Sequence, residues 1–293
     1  MIFPTGTWYG TYFSEELKAV IKHGYKITWI KGQPFTKEYL FNNYVNFFFK
    51  IKQTAKTAVT RFIAKMHLNQ LYGYFGRSRE LILTKAVFNR DINLLLGTHF
   101  VKSIIQITKK MSIVLMTANL NFDLIKKLKL DLDLTTFKNM NKSVKSNVAI
   151  SAAVTAYARI EMMKYKVDPS YKIYYTDTDS IFLNKPLPDY LVGESLGLMK
   201  NELKKYGCEY AERAIFVGNK KYAYQFIDMN GNLKTRTVFS GIKRDFLTWE
   251  QIENMSNGKI ITVKLPNVFT HSFKSLSISI EERVVKIKKS KSF

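Results

Sequence analysis

The sequence predicts an α/β fold in which long helices are combined with antiparallel strands. Its clearest helix is the alanine-rich stretch NVAISAAVTAYARIEMMKYK (147–166), which Ser146 or Asn147 can cap. Soon after it, IYYTDTDSIFL (173–183) places a polar run between apolar and aromatic flanks, a pattern typical of a tight hairpin. A strong helix followed at once by a hairpin is the main evidence for the mixed class.

The N-terminal part of the chain is predicted to be mainly helical. Residues 14–24 begin with Ser14 as a helix cap and end with Gly24 at a position suited to a C-terminal cap. YKITWIKG (25–32) alternates like a short strand. Residues 36–72 contain no Gly or Pro, which predicts two helices or one broken helix.

The rest of the chain is predicted to form shorter elements. Strands around 213–228 precede Asn230-Gly231, a dipeptide typical of hairpin turns. Residues 91–145 fit neither helical nor strand periodicity, and no Pro/Gly-rich linker marks a domain boundary. The other predicted elements are a strand at 81–88, a helix near 189–206, a helix near 248–256 and mixed strands after it.

The net charge of the chain is far from average for a globular protein. Its 293 residues include 46 Lys and Arg against 23 Asp and Glu, a formal charge of +23. This excess favours a polyanionic partner, with nucleic acid first and an anionic membrane surface second, although a lysine-rich composition bias produces the same excess. The hydrophobic content of 46% argues against disorder, and the single Cys208 excludes an intramolecular disulfide. Lysines interrupt the apolar stretch at 101–120, so no membrane span is predicted.

The predicted hairpin carries two carboxylates in an otherwise basic chain. Asp177 and Asp179 are two residues apart, so on an extended strand both point to one face. Hard cations such as Mg²⁺ prefer carboxylate oxygens together with substrate phosphates, which makes the pair a candidate metal site. A solvated Asx turn has the same spacing. Asp131 and Asp133 repeat the spacing without the aromatic flank, and there we expect a solvated strand face.

A second group of candidates follows helical spacing. Arg61, Lys65, Asn69 and Tyr72 recur at i, i+4, i+8 and i+11, on one helix face that ends beside Gly73. Two cations, an amide and a ring suit a nucleoside triphosphate, with the cations on the phosphates and the ring on base or sugar. Gly73 is expected to end the helix or to admit close backbone approach. An ordinary solvated helix face explains the same pattern.

The third group is GNKKYAY (218–224). Lys220 and Tyr222 offer a phosphate contact and a stacking surface on neighbouring positions of a strand. Many edge strands also alternate charged and aromatic residues.

Taken in this order, the three groups resemble the family B DNA polymerases, and most closely their protein-primed branch, found in certain phages and linear mitochondrial plasmids. YTDTDS (175–180) is similar to that family's Tyr-x-Asp-Thr-Asp-Ser motif, and KMHLNQLYG (65–73) to its Lys-x-x-x-Asn-Ser-x-Tyr-Gly motif. KKY (220–222) is similar to its Lys-x-Tyr motif. The resemblance extends from about residue 5 to about residue 256.

The resemblance implies a role for each candidate side chain. Asp179 is implied as the principal Mg²⁺ ligand, with Asp177 assisting, in a two-metal site. Lys65 and Asn69 are implied to hold the incoming triphosphate. The remaining implied contacts are Arg61 to the triphosphate, Tyr72 to base and sugar, and Lys220 with Tyr222 to the primer terminus.

The resemblance also implies an architecture and partners. The expected fold is a partial right-hand polymerase with helical fingers, an antiparallel palm sheet and a small thumb. The expected partners are primer–template DNA, deoxynucleoside triphosphates, a terminal protein primer and a separately encoded N-terminal half, in the mitochondrion. The expected divisions are 1–44 as part of the palm and an insertion, 45–80 as fingers, 81–228 as palm, and 229–293 as thumb with a basic tail.

Three departures from the family pattern limit these expectations. Gln70 stands where the family has Ser, and Thr176 where many members have Gly. Nothing before Arg61 resembles the upstream Asp-x-x-Ser-Leu-Tyr-Pro motif, which supplies a further metal-binding carboxylate, and no exonuclease domain is recognised. Two-metal transfer needs carboxylates from two facing elements, so we expect a C-terminal portion of a larger polymerase that is poorly active alone.

The alternative from another class is a non-catalytic nucleic-acid-binding remnant of such a polymerase. A reverse transcriptase is a weaker rival, because its hairpin usually carries adjacent aspartates and Thr178 separates them here.

Overall fold

The computed structural model describes residues 5–78, 80–131, 146–272, 275 and 277–291. They fall into two compact units, one built mainly from residues 5–163 and the other mainly from residues 164–291. Each unit combines helices with antiparallel strands, which confirms the predicted α/β class.

The described chain begins with three helices, and its strands follow later. The α-helices are α1 (Ser14–Ile21), α2 (Asn42–Thr54), α3 (Ala58–Phe75), α4 (Ile92–Thr98), α5 (Phe122–Lys127), α6 (Val148–Lys166) and α7 (Trp249–Ser256). The strands are β1 (Ile82–Phe88), β2 (His99–Gln106), β3 (Met111–Leu120), β4 (Ile173–Asp177), β5 (Ser180–Leu183), β6 (Arg213–Gly218), β7 (Lys221–Ile227), β8 (Leu233–Phe239), β9 (Ile261–Ser272) and β10 (Ser277–Ile287).

The unit of residues 5–163 contains the helical pair α2–α3 and the sheet β1-β3-β2. The side chain of Thr57 caps α3 by accepting a hydrogen bond from the Thr60 backbone N–H at 3.1 Å. At the other end, a Cβ on Gly76 would lie only 2.6 Å from Ser151 Oγ of α6, so this close approach requires glycine. The predicted region 36–72 thus contains two helices, and the second continues past Gly73 to Phe75, with Gly76 as its C-cap.

The unit of residues 164–291 contains the hairpin β4–β5, the sheet β6-β7-β8 and the ribbon β9–β10. Its core lies where Ile252 and Met255 of α7 pack with Val217 and Ala223 of the sheet, all four with 0% exposure. Burying an aliphatic side chain of this size contributes about 1.5–3 kcal/mol. A capping box starts α7: Thr248 Oγ1 accepts from the Gln251 N–H, and Gln251 Oε1 accepts from the Thr248 N–H.

Three local predictions are wrong. Residues 25–32 form no strand, and Trp29 and Ile30 are 66% and 73% exposed, because alternation alone supplies no hydrogen-bonded neighbour. The helix expected near 189–206 is replaced by two 3₁₀ turns joined by irregular backbone, since Gly197 adopts a φ of +90°.

The third wrong prediction is the cap of α1. Phe13 is its N-cap residue, and Ser14 is already helical. The helices predicted at 147–166 and 248–256, and the strands predicted at 81–88 and 213–228, are confirmed within a few residues. Asn147 is hydrogen-bonded as a cap, through its side-chain oxygen to the Ile150 N–H at 3.4 Å. Among the described residues, no helix is both long and apolar enough to cross a bilayer.

Candidate functional site

The predicted aspartate hairpin is present as β4–β5, and its tip is strained. Asp177 and Ser180 are the last paired residues, so Thr178 and Asp179 form a two-residue turn. Thr178 has a φ of +55°, which is unfavourable for a β-branched side chain. Two hydrogen bonds offset this strain, from Thr178 Oγ1 to Asp177 Oδ1 at 3.1 Å and from Ser180 Oγ to the Asp177 carbonyl at 3.0 Å. Backbone strain of this kind is concentrated at functional sites.

Asp177 is held by a lysine that lies 43 residues further along the chain. Lys220 Nζ lies 2.5 Å from Asp177 Oδ2. The lysine sits in the β6–β7 turn with a φ of +53°, so the turn projects it towards the hairpin. The hydrogen bond to Asp177 raises the pKa of the Lys220 ammonium. The structure therefore brings together two of the predicted site residues as an ion pair.

A buried tyrosine fixes the position of that lysine. The Tyr175 side chain is only 5% exposed. Its hydroxyl donates to Asn219 Oδ1 at 3.2 Å and accepts from the Lys220 backbone N–H at 2.8 Å. Tyr175 and Asn219 were not among the predicted site residues, although Tyr175 belongs to the motif that identified the hairpin. No sequence pattern indicates that the β4–β5 hairpin and the β6–β7 turn, which are distant in sequence, contact each other.

The predicted primer-contact residue Tyr222 belongs to an aromatic layer beneath the hairpin. Its ring centroid lies 5.2 Å from that of Tyr175, which in turn stacks on Phe216 with an angle of 9° between the planes. Burial raises the pKa of the Tyr222 hydroxyl. The ring is thus fixed in place before any ligand arrives.

Asp179 differs from Asp177 in its surroundings. Asp179 is exposed, and within the described residues its side chain has no hydrogen bond or ion pair. Two carboxylates form too small a donor set to enclose a cation, and the described residues contain no cluster of three or more His, Cys, Asp or Glu side chains. A hard cation fits Asp179 only as part of a site whose other oxygen ligands come from elsewhere, including substrate phosphates.

A cavity of about 340 Å³ opens beside the Asp177–Lys220 pair. Three of its lining residues, Asp177, Lys220 and Tyr222, were predicted as site residues. The other lining residues come from the end of β8 and the loop after it, namely Val238, Phe239, Ser240, Gly241, Ile242 and Arg244. Sequence reasoning assigned no site residue to that loop.

The helix-face candidates belong to the other unit. Arg61, Lys65, Asn69 and Tyr72 all lie on α3 and are all exposed, as the helical spacing predicted. A cavity of about 370 Å³ is lined by Asn69, Gln70, Tyr72, Gly73, Tyr74 and Arg77. A Cβ on Gly73 would meet nothing within 4 Å, so the surface there is open to close approach.

The second Asp-x-Asp pair is described only in part. Asp131 is exposed and lies outside any strand, and Asp133 lies outside the described residues.

Comparisons with known proteins agree with the motifs. The sequence model of the family described as DNA polymerase type B, organellar and viral, matches residues 1–171. A probable DNA polymerase of Podospora anserina is 33% identical over 307 residues, which is 98% of this chain and 25% of that protein. A probable DNA polymerase of Agaricus bitorquis is 27% identical over 96% of this chain and 35% of its own length. The chain thus spans about a quarter to a third of the length of these two relatives.

A solved structure has the same fold. Phi29 DNA polymerase, complexed with primer-template DNA and incoming nucleotide substrates, matches 85% of this chain with a TM-score of 0.52 and 16% identity. The chain covers 38% of that structure. The likeness confirms the predicted fold, a part of a polymerase α/β architecture.

Proposed function

This chain belongs to the organellar and viral family of type B DNA polymerases, and on that basis we propose that it provides part of the active site of a DNA-directed DNA polymerase. The reaction would join a deoxynucleotide to the 3′ hydroxyl of a primer and release pyrophosphate. The observation that carries the proposal is the hairpin, where Asp177 is paired with Lys220 beside the fixed ring of Tyr222, and Asp179 at the tip is exposed.

The two carboxylates have different roles in this proposal. Asp179 is exposed and unpaired within the described chain, so it would be the main ligand of Mg²⁺. Asp177 would assist with its remaining oxygen and would hold Lys220 in place. Mg²⁺ bound there would neutralise charge on the transferring phosphoryl group and on the leaving pyrophosphate.

Lys220 and Tyr222 would hold the primer terminus. Both are fixed by contacts within the unit, Lys220 through Tyr175 and Asp177, and Tyr222 through its aromatic neighbours. When binding positions the primer hydroxyl before the reaction, binding energy covers part of the activation free energy. Positioning of this kind is a main way in which enzymes accelerate phosphoryl transfer.

The α3 face would hold the incoming nucleotide. Lys65, Asn69 and Arg61 offer charged and amide donors for the triphosphate, and Tyr72 offers a ring for base and sugar. All four are exposed on one helix, as a diffusing ligand requires.

We infer that the second side of the metal site comes from a polypeptide that carries the Asp-x-x-Ser-Leu-Tyr-Pro motif. The support is chemical: Asp177 and Asp179 lie on one hairpin, and two-metal transfer needs a facing carboxylate. The longer relatives leave room for such a segment, because the chain spans 25% and 35% of two of them.

Primer extension with Mg²⁺ tests the proposal. The arms are the chain alone, the chain with a polypeptide bearing that upstream motif, and the same mixture with Asp179→Asn. Asp131→Asn is the matched control, since it neutralises an exposed aspartate of the other Asp-x-Asp pair. We expect extension only in the mixture, with a loss of about 10³-fold or more for Asp179→Asn and none for the control.

Two results would count against it. Efficient extension by the chain alone would show that this half of the site is sufficient. DNA binding without extension in any arm, and unaffected by Asp179→Asn, would favour the non-catalytic nucleic-acid-binding remnant.

We also propose a mitochondrial location, a plasmid origin and priming by a terminal protein. The family's organellar and viral membership and the Lys-rich composition support them. Cell fractionation with a tagged chain tests the location. Incorporation of a labelled nucleotide onto protein instead of onto an oligonucleotide tests the priming mode.

A further inference from the structure

The cavity beside the hairpin has one cation that no other charge in it neutralises. The charged side chains lining it are Asp177, Lys220 and Arg244. Asp177 and Lys220 form an ion pair, so their charges cancel. Arg244 is exposed and has no ion pair or side-chain hydrogen bond within the described residues. The cavity therefore offers an available guanidinium group for an anion.

The neighbouring carboxylate, that of Asp245, does not neutralise Arg244, because it is engaged by other residues. Asp245 adopts a φ of +62°, and its carboxylate accepts from the Thr237 N–H at 2.9 Å. The same carboxylate pairs with Arg236 at 2.8 Å. Asp245 is thereby held against β8, and its charge is matched by that of Arg236.

The start of the loop is anchored to the Lys220 turn. The Ser240 N–H donates to the Lys220 carbonyl at 2.9 Å. Gly241, with a φ of +84°, turns the chain there, and a Cβ on it would meet open space. Within the described chain, the backbone N–H groups of Gly241 and Arg244 donate no hydrogen bond. A guanidinium group with free backbone N–H groups beside a glycine is a donor set suited to phosphate.

The other walls of the cavity favour a nucleic acid backbone over a free anion. Tyr222, Phe239 and Ile242 line it with aromatic and aliphatic surface, which suits a deoxyribose next to a phosphate. The positive charge of Arg244 also acts on the Tyr222 hydroxyl, where it opposes the rise in pKa that burial causes. Arg244 and the proposed primer-contact ring thus face the same space.

We propose that Arg244, with the Ser240–Gly241 turn, binds one backbone phosphodiester of the primer strand, next to the terminus held by Lys220 and Tyr222. This assignment rests on the proposed function and adds a contact residue to it. A nucleoside triphosphate presents the same phosphate chemistry. The two sources differ in one testable respect, because a primer contact forms in the absence of any nucleotide.

Binding of the full chain to primer–template DNA, without nucleotide, is the first test. We expect Arg244→Ala to weaken binding about tenfold at low salt and to reduce the slope of log affinity against log salt by about 0.9, the value for one lost phosphate contact. Lys243→Ala is the matched control, because it removes an equal charge from the same loop but does not line the cavity. We expect less than about a twofold change for it.

A methylphosphonate scan of the primer then locates the contact. Each of the last linkages before the 3′ end is made neutral in turn. At one linkage, we expect the neutral substitution to weaken DNA binding by the wild-type chain but not to weaken binding by Arg244→Ala any further. The two changes are then not additive, because both remove the same interaction. Arg244→Gln, checked for native circular dichroism, replaces the alanine variant if that variant fails to fold.

The outcomes separate the two proposals. Equal losses for Arg244→Ala and Lys243→Ala, or no linkage at which the losses merge, overturn the Arg244 contact while leaving the polymerase proposal intact. A defect of Arg244→Ala that appears only when nucleotide is added assigns the residue to the triphosphate and also overturns the primer contact. A wild-type chain with no affinity for primer–template DNA overturns the Arg244 contact, whereas the polymerase proposal is decided by primer extension in the mixture.

Discussion

The hairpin site and the α3 face carry similar side chains in very different states. At the hairpin, Lys220 is paired with Asp177, and its backbone is held by the Tyr175 hydroxyl. On α3, Arg61 and Lys65 are exposed, and neither forms an ion pair within the described residues. The side chains of the hairpin site are held by contacts within the protein, whereas Arg61 and Lys65 on α3 are not held by ion pairs in the described part of the chain.

This difference has an energetic consequence. Fixing a Lys or Arg side chain costs up to about 2 kcal/mol of conformational entropy. At the hairpin that cost is met on folding, so the side chains of the proposed primer site are already in place. The α3 face would meet that cost only on binding, so the nucleotide of the proposed reaction should be held less tightly for the same contacts. Under the proposed function, such a difference suits a nucleotide that is exchanged in every cycle and a primer that stays bound.

The largest effect that we expect is on the free energy of unfolding, where substitutions of Ile252 and of Phe62 should differ. Ile252 is 0% exposed in the core under the sheet that positions Lys220, and Phe62 is 61% exposed on α3. We expect Ile252→Ala to lower the free energy of unfolding by about 2–5 kcal/mol, because it leaves a cavity. Phe62→Ala should change it by less than about 0.5 kcal/mol. Urea unfolding followed by circular dichroism measures both, and equal losses would show that α3 is packed as tightly as the sheet.

The sequence was sufficient where the determinants are local. Helix α6 follows from its alanine content, and α7 begins at Thr248 with a reciprocal cap to Gln251 three residues later. The β4–β5 hairpin follows from a polar run between two apolar flanks. The spacing on α3 correctly placed its candidates on one helix, because a 3.6-residue period needs no tertiary information.

The sequence was insufficient where distant segments meet. Tyr175 contacts Lys220 across 45 positions, and no periodicity links a buried hydroxyl to one backbone N–H of another turn. Arg244 was overlooked because its significance depends on which neighbouring charges are already paired. The alternation at 25–32 was misleading for the converse reason: its period suits a strand, but no strand in the described part of the chain pairs with it.

The second contrast is in ligand binding, and Lys65 tests it. We expect Lys65→Ala to weaken binding of the incoming nucleotide about 10- to 100-fold, since it removes a charge-assisted contact to the triphosphate. DNA affinity should stay within about twofold of wild type, because Lys65 is not assigned to the primer. Lys56→Ala is the matched control, as Lys56 is exposed just before α3 and lies off the predicted face. Nucleotide titrations on the DNA-bound mixture measure the effect, and a loss that appears in DNA affinity instead would assign Lys65 to the template or primer.

The smallest effect is electrostatic and concerns the Asp177–Lys220 pair alone. Its hydrogen bond raises the pKa of Lys220 above the ordinary lysine value of about 10.4. The stabilisation is therefore complete below the unfolded pKa and is lost as the pH rises through the higher folded pKa. The side chain of Lys220 is 55% exposed, so solvent screening keeps this contribution small at neutral pH.

Asp177→Asn should return the pKa of Lys220 towards the ordinary value, and Asp179→Asn should not. Titration of the lysine ammonium signals by nuclear magnetic resonance distinguishes the two variants. The matched pair is informative because both substitutions remove one negative charge from the same turn, yet only Asp177 contacts the lysine. Equal shifts in the two variants would mean that Lys220 senses the whole hairpin tip, and Asp177 would then be as available to a metal ion as Asp179. A shift confined to Asp177→Asn would mean that Lys220 engages Asp177 alone, which leaves Asp179 available to the metal ion of the proposed reaction.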